Sequence, residues 1–194
     1  SYGEPNGHLP LRRTISQVMA SVGIQLKPEN ILVTTGSQQA LNLVVQALLR
    51  SGDTVIVEQP TYNGILDLFE ALNIRPIGIE IDEQGMCVDR LEPLLQTYHP
   101  KLIYTIPNFQ NPSGVSMSGH RRRMLLELAR RYNVPVLEDD YVGDLRYEGC
   151  AQPALKSLDP GGNVIYVSTF SKMLMPDLRV GFLAAKGPVY DTLV

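Results

Sequence analysis

The order of secondary-structure patterns constrains the fold more than any other feature of this sequence. Short apolar runs rich in β-branched residues, such as Ile31–Thr35, alternate with longer segments such as Ser37–Arg50, where apolar residues recur every three or four positions. Strands that alternate with helices predict a mainly parallel sheet covered by helices on both faces. We therefore expect an α/β fold with three layers, α/β/α, around a mixed sheet of seven strands.

The seven predicted strands are Ile31–Thr35, Thr54–Val57, Pro76–Ile81, Leu102–Ile106, Val134–Glu138, Val164–Ser168 and Val180–Ala184. Further helices are predicted over Tyr62–Leu72, Val88–Thr97 and Gly119–Tyr132. The last two strands are separated only by Thr169–Leu178, which is too short for a standard helical crossover. One strand is therefore expected to run antiparallel to its neighbours.

Composition narrows the class of protein. A chain of 194 residues that is 44% hydrophobic can bury one core, and no repeat or low-complexity linker divides it. A net charge of −3 gives no support for a nucleic acid-binding face, so Arg121–Arg123 is expected to be a solvated helix face. Cys87 and Cys150 fit no metal or redox spacing, and no apolar run is long enough to span a bilayer. We expect reduced thiols, no metal, no membrane partner and a cytoplasmic location.

Polar residues gather in the loops that follow the predicted strands. Ligands of parallel sheets bind beyond the carboxyl ends of the strands, so these loops form the expected site. The loops carry Thr35–Gln38, Gln59–Tyr62, Pro107–Gly114, Asp139–Tyr141 and Ser168–Lys172.

Two of these loops carry residues suited to covalent and acid chemistry. Lys172 is a usable amine nucleophile if it lies near a cation or in an apolar pocket, although a solvated surface lysine is the commoner case. Three successive acids, Glu138 to Asp140, usually form a solvated loop. Side chains alternate at a strand end, however, so at least one of the three could face the site. A buried carboxylate needs a hydrogen-bonding partner, such as a protonated pyridine nitrogen.

A third loop suits a phosphate. The free N–H groups of Gly36–Gln38, together with the helix dipole, favour an anion, although an ordinary N-cap by Ser37 is about as compatible with the pattern. Arg179 could add a planar fork to the same phosphate, although a structural or surface arginine is commoner. A lysine for a Schiff base, an acid for a pyridinium nitrogen and a phosphate cup together fit pyridoxal phosphate.

Five segments carry a resemblance to a known family. They are TGSQQAL, EQPTY, PNFQNPSG, VLEDDY and STFSKMLMPDLRVGFL. In their order and separations they resemble the fold type I pyridoxal-phosphate enzymes, specifically the class I and II aminotransferases, over nearly the whole chain. The resemblance implies amino-group transfer between an amino acid and a 2-oxo acid through a Schiff base on Lys172. It also implies that residues 1–194 form the large, cofactor-binding domain. The small C-terminal domain, with its arginine for the substrate carboxylate, is then absent, and the chain alone is expected to transaminate poorly or not at all.

The resemblance also implies individual roles. Lys172 would hold the cofactor and move the substrate proton, while Asp139 would keep the pyridine nitrogen protonated. Asn111 would hydrogen-bond the phenolic oxygen of the ring, and Tyr62 would stack on the ring face. The phosphate would be held by Ser37, Gln38, Thr169, Ser171 and Arg179.

One departure from the family pattern leaves a second function open. The family usually has a tyrosine three residues after the acid, where this chain has Val142, so Tyr141 is expected to replace it. This Asp-Asp-Tyr form, followed by Leu145–Tyr147, resembles the aminotransferase-like domain of MocR-type transcriptional regulators of the GntR family. In that alternative the chain senses pyridoxal phosphate or an amino compound, and DNA is bound only through a winged-helix domain outside this chain. Both alternatives imply a homodimer in the full-length protein, in which Tyr2 would reach the phosphate of the other subunit.

Overall fold

The computed structural model of the protein describes residues 4–141, 152–170 and 180–194. Its strands are β1 (Ile31–Thr34), β2 (Thr54–Gln59), β3 (Arg75–Asp82), β4 (Gly85–Met86), β5 (Leu102–Thr105), β6 (Val136–Asp140), β7 (Val164–Thr169) and β8 (Gly181–Ala184). Its α-helices are α1 (Leu9–Ser21), α2 (Ser37–Leu48), α3 (Asn63–Ala71), α4 (Leu91–Tyr98), α5 (Gly119–Arg131) and α6 (Pro188–Leu193). Short 3₁₀ helices lie at Pro28–Asn30, Val88–Arg90 and Leu155–Leu158.

The strands form one sheet in the order β1-β8-β7-β6-β5-β2-β3-β4. The adjacent strands β7, β6, β5, β2 and β3 pair in parallel. Strand β8 is antiparallel to both of its neighbours, β7 and β1. The predicted α/β fold and the predicted antiparallel strand near the end of the chain are therefore confirmed, and β4 is a second antiparallel strand. The sheet has eight strands where the sequence predicts seven, because a turn at Glu83 and Gln84 closes a hairpin between β3 and the two-residue strand β4.

The alternation of side chains along the strands gives the sheet two apolar faces. On one face Tyr104 and Leu137 belong to a core shared with α2, α3 and α6. On the other face their neighbours Ile103 and Val136 pack with α4 and α5, and α1 covers the β1–β8 end of that face. Because both faces are covered there, the central strands β5 and β7 carry continuous runs of aliphatic and aromatic residues.

Two helices were not predicted from the sequence. In α1 only Arg12, Ile15 and Met19 are buried, so its apolar stripe is narrower than the three- and four-residue repeat of α2. Helix α6 has six residues, which is too short for a periodic pattern to stand out.

The prediction of a solvated arginine face on α5 is wrong for Arg122, and Arg121 is mostly covered. The Arg122 side chain is fully buried, and its guanidinium donates hydrogen bonds to the carbonyl oxygens of Pro107, Met117 and Pro153. Arg121 pairs with Asp82 through both of its terminal nitrogens. The physical reason is that α5 packs against irregular backbone whose carbonyl groups need donors, and the five N–H groups of arginine supply them.

Candidate functional site

The polar loops meet beside the point where the sheet order reverses. Strands β2 and β5 are neighbours, but the chain leaves β2 toward β3 and leaves β5 in the other direction, toward β6. Ligands of open α/β sheets bind at such a reversal. A pocket of about 190 Å³ lies there, lined by Ser37, Tyr62, Ile106, Asn111, Asp139 and Tyr141. The structure thus brings five of the predicted site residues to one pocket, while their chemical roles stay predictions.

Asp139 faces this pocket because of its register in β6. It lies two residues beyond Leu137, on the same face of the sheet, and only 3% of its surface is exposed. Its Oδ2 atom accepts a hydrogen bond of 2.7 Å from the Tyr104 hydroxyl. Its Oδ1 atom is buried and has no hydrogen-bond partner within residues 4–141, 152–170 and 180–194. Burial raises the pKa of Asp139 to about 6, although the Tyr104 hydrogen bond opposes that rise.

The two other acids of the triplet serve the structure on the opposite face. Glu138 accepts hydrogen bonds from the backbone N–H groups of Leu155 and Lys156, and so holds the 3₁₀ turn there. Asp140 accepts a hydrogen bond from the Tyr166 hydroxyl. All three acids are buried, so the solvated-loop interpretation of the triplet is wrong, and only Asp139 belongs to the pocket.

Tyr62 is held over the start of α3 by two contacts. Its hydroxyl donates to Oε1 of Gln38 at 3.2 Å. Its ring also lies against Gly64, where a Cβ atom would come within 2.4 Å of the ring carbon Cζ. A side chain at residue 64 would therefore displace the ring, and glycine leaves the ring in place at the pocket.

The amino end of α2 is uncapped at the edge of the pocket. Its N-cap residue is Gly36, whose φ of 132° favours glycine, and no side chain makes a capping hydrogen bond there. The alternative that Ser37 is an ordinary N-cap is therefore wrong. The start of β8 packs closely under this turn, since a Cβ atom on Gly181 would lie 2.4 Å from the carbonyl carbon of Gly36. Backbone N–H groups of the first helical turn at Ser37 and Gln38 have no intrahelical partner, which suits an anion.

Asn111 lies on an irregular loop that is anchored at several points. The Nε2 atom of Gln110 donates to the carbonyl oxygen of Pro60, and the backbone N–H of Met117 donates to the carbonyl oxygen of Pro107. The Arg122 guanidinium binds both ends of the same loop. Long-range anchors of this kind order the loop in the absence of helix or strand hydrogen bonds.

Tyr141 lies at the mouth of the pocket, 36% exposed. Its hydroxyl donates a hydrogen bond of 2.7 Å to the carbonyl oxygen of Phe109. Partial burial raises the pKa of Tyr141, and the nearby charge of Asp139 adds to that rise. The side chain therefore joins the Asn111 loop to the end of β6.

Sequence reasoning missed Glu58, a buried acid at the reversal point. It is 1% exposed, and its Oε1 atom accepts a hydrogen bond of 2.8 Å from the backbone N–H of Ile106. Glu58 thereby joins the end of β2 to the residue after β5. Burial raises its pKa to about 8. The available signal was a glutamate directly after the apolar run Val55–Val57 in the strand segment TVIVEQ.

Replacing Glu58 with glutamine is expected to flatten the pH dependence of stability. The folded protein keeps a proton on Glu58 up to a pKa of about 8, whereas the unfolded chain releases it near 4.5. The free energy of unfolding of the wild type should therefore fall as pH rises between those values, by at most about 1.4 kcal/mol per pH unit from this group. Urea denaturation at several pH values measures the profile. The exposed Glu70→Gln variant is the control, and equal slopes for wild type and Glu58→Gln would contradict the assignment.

Thr169 is described but does not line the pocket. It ends β7, and its hydroxyl donates to the carbonyl oxygen of Val180. Gln38 is likewise described without lining the pocket. The other predicted residues lie outside the described residues, namely Tyr2, Val142, Leu145–Tyr147, Cys150, Ser171, Lys172 and Arg179. Across the described ranges, no three histidine, cysteine, aspartate or glutamate side chains are grouped so as to hold a metal ion. In the same ranges, no helix has the length and apolar content needed to cross a bilayer.

A known protein family matches this chain over its whole length. The family model described as aminotransferase class I and II matches residues 1–194. Aromatic-amino-acid aminotransferase 1 of Thermococcus litoralis is 41% identical over 191 residues, which cover 95% of this chain and 46% of that protein. An uncharacterized HTH-type transcriptional regulator of Bacillus subtilis, YisV, is 34% identical over 192 residues, covering 99% of this chain and 40% of the regulator.

A solved structure shows the same fold. The α-aminoadipate aminotransferase LysN from Thermus thermophilus, complexed with N-(5'-phosphopyridoxyl)-L-leucine, superposes with a TM-score of 0.88 at 35% identity. The match covers all of this chain and 49% of that one. The chain thus spans about half the length of the proteins it matches, or somewhat less.

Proposed function

Because the chain belongs to the class I and II aminotransferase family, we propose that it binds pyridoxal phosphate and serves amino-group transfer between an amino acid and a 2-oxo acid. The observation that carries the proposal is the Oδ1 atom of Asp139, which is buried at the pocket without a hydrogen-bond partner among the described residues. A buried carboxylate oxygen needs a donor. The N–H of a protonated pyridine ring supplies one, and its positive charge compensates that of the carboxylate.

The other residues of the pocket fit the same cofactor. Tyr62 offers an aromatic face, and Asn111 offers an amide that can bind the phenolic oxygen. The uncapped amino end of α2 at Ser37 offers backbone donors to a phosphate. When bound, pyridoxal phosphate supplies an electron sink for the bond changes at the substrate Cα. In this proposal Tyr141 also faces the cofactor, through a hydroxyl that here donates to the carbonyl oxygen of Phe109.

Further roles in the proposal follow from family membership and the sequence motif. Lys172 holds the cofactor and moves the substrate proton. The phosphate is held by the backbone at Ser37 and Gln38 and by Thr169, Ser171 and Arg179. Asp139 would supply a charged acceptor to the ring nitrogen, while Tyr62 and Ile106, which also line the pocket, would exclude water from the ring.

The proposal also covers parts of the full-length protein other than this chain. We propose that residues 1–194 are the large domain, that a small domain supplies the arginine for the substrate carboxylate, and that two copies form a cytoplasmic dimer. The match to about half of each relative supports this division. The substrates are then an amino acid and a 2-oxo acid, and the chain by itself turns them over poorly.

Replacing Asp139 with asparagine tests the proposal at the atom that carries it. The amide cannot compensate a pyridinium charge, so we expect pyridoxal phosphate to bind at least about tenfold more weakly, since charged hydrogen bonds contribute roughly 1.5–3 kcal/mol. Titration of the purified protein with pyridoxal phosphate, followed by visible absorbance, measures the affinity.

Asp140→Asn is the matched control, because Asp140 is the next residue of β6 but bonds to Tyr166 on the opposite face. That variant should bind the cofactor as the wild type does. An equal loss of pyridoxal phosphate affinity in Asp139→Asn and Asp140→Asn would mean that the substitutions disturb β6 as a whole rather than a contact in the pocket. A wild-type protein that binds no pyridoxal phosphate would overturn the proposed function.

A second function is favoured by a specific comparison. The Bacillus subtilis regulator YisV matches 99% of this chain at 34% identity, so the same cofactor pocket suits a sensor domain of a MocR-type regulator. In that function an amino compound or the cofactor itself is the effector, and DNA is bound by another domain. Sequencing the parent gene upstream of residue 1 separates the two functions, because a winged-helix segment there favours the regulator.

A further inference from the structure

Tyr104 makes a hydrogen bond to Asp139, the acid at the pocket. It lies in β5, fully buried, opposite Leu137 of β6. Asp139 lies two residues further along β6 on the same face, within diagonal reach of a long side chain. The Tyr104 hydroxyl bridges this diagonal and donates to Oδ2 of Asp139 at 2.7 Å.

This bond makes the two oxygens of the Asp139 carboxylate inequivalent. Oδ2 is occupied by a neutral donor from within the sheet, whereas Oδ1 has no hydrogen-bond partner in the described part of the chain. A carboxylate held at one oxygen cannot rotate freely about its Cβ–Cγ bond. The position of the second oxygen is then fixed before any ligand arrives.

We propose that Tyr104 is the positioning residue of the Asp139 carboxylate, holding Oδ2 so that Oδ1 faces the pocket as the acceptor for a ring N–H cation. The identity of that cation rests on the proposed function. The coupling between the phenol and the carboxylate does not, since both groups belong to this chain.

The electrostatic surroundings give the bond a second effect, on the charge of Asp139. Burial raises the pKa of Asp139, the hydrogen bond from Tyr104 lowers it, and the charge of Asp140 raises it further. Glu58, near the end of β2, interacts electrostatically with Asp139, but its pKa of about 8 keeps it protonated near neutral pH. Tyr141, whose pKa is raised by partial burial, is a neutral phenol in the same pH range. Tyr104 therefore keeps Asp139 ionised close to neutrality, and without it the carboxyl group would retain its own proton.

The test compares two tyrosines that bond to neighbouring acids on opposite faces. Tyr104→Phe removes the donor to Asp139 and keeps the ring, and Tyr166→Phe does the same for Asp140. Carbon-13 NMR of protein labelled at aspartate carboxyl groups follows each titration without cofactor, and Asp139→Asn identifies the Asp139 signal. We expect Tyr104→Phe to lower the acid dissociation constant of Asp139 roughly tenfold or more. Tyr166→Phe should leave that constant unchanged.

A packing role alone would leave the Asp139 titration unmoved, and that result in folded Tyr104→Phe would overturn the proposal. If this variant does not fold, site-specific 3-fluorotyrosine at position 104 keeps the shape and strengthens the donor. It should shift the Asp139 titration toward lower pH, and an unchanged titration there would also overturn the proposal.

A binding readout separates this inference from the proposed function. Tyr104→Phe should weaken binding of pyridoxal phosphate at least tenfold at neutral pH. It should change by less than about twofold the binding of the 1-deaza analogue, whose ring carries C–H in place of the nitrogen. Equal weakening of both ligands would overturn the positioning role. If the wild type binds neither ligand, the proposed function fails, and the carboxylate titration still decides the role of Tyr104.

Discussion

Replacing Lys172 with alanine is expected to abolish covalent retention of pyridoxal phosphate, and to reduce amino-group transfer in the full-length protein by at least about a hundredfold. Lys172 follows β7 in the segment STFSK, and the proposed function assigns it the attachment of the cofactor. Among the described residues, no lysine lines the pocket. The measurement is borohydride reduction of protein mixed with pyridoxal phosphate, followed by proteolysis and mass spectrometry.

Lys156 is the competing amine and therefore the best control. Burial lowers its pKa to about 8, which makes it more nucleophilic than an ordinary lysine, but its Nζ atom donates to the carbonyl oxygen of Val164. Lys156→Met keeps the volume and should leave cofactor retention as in the wild type. The assignment of Lys172 would be wrong if Lys172→Ala stayed labelled to the wild-type extent, or if the label were found on the Lys156 peptide.

Local pattern was enough to predict most of the sheet and part of the pocket. The α/β class follows from the alternation of strand and helix periods, and the loops after the strands follow from the direction of parallel strands. Within the acid triplet, the pattern predicted that at least one side chain faces the site. It could not say which one, because the choice depends on whether Leu137 or Val136 faces the α2 side of the sheet.

The residues that sequence reasoning missed act through distant contacts. Tyr104 lies inside the predicted strand Leu102–Ile106, and Glu58 directly follows the predicted strand Thr54–Val57, so neither stands out from the sequence as a site residue. Their partners, Asp139 and Ile106, are 35 and 48 residues away along the chain, and only folding brings them together. For Arg122, by contrast, the sequence pattern gave a wrong prediction, that of a solvated side chain. A basic run on a helix is typical of a solvated face, and nothing local reveals that carbonyl oxygens of the Asn111 loop lie beneath it.

Replacing Arg122 with leucine is expected to lower the free energy of unfolding by at least about 3 kcal/mol. The side chain is fully buried, and its guanidinium donates to the carbonyl oxygens of Pro107, Met117 and Pro153 and to Oδ1 of Asn108. Leucine leaves these acceptors buried with fewer donors, and each loss costs roughly 1–3 kcal/mol. Urea denaturation, followed by circular dichroism, measures the change.

The next residue of α5 supplies the control for Arg122. Arg123 is exposed on the same helix, so Arg123→Leu should change the free energy of unfolding by less than about 0.5 kcal/mol. Arg122→Lys keeps the charge but lacks the planar fork, and it should recover only part of the loss because one ammonium group cannot reach four separated acceptors. Since the same guanidinium anchors the loop that carries Asn111, both Arg122 variants should also bind pyridoxal phosphate more weakly than Arg123→Leu. Full stability and full cofactor affinity in Arg122→Leu would show that the loop is held by its other contacts, those of Gln110 and Met117.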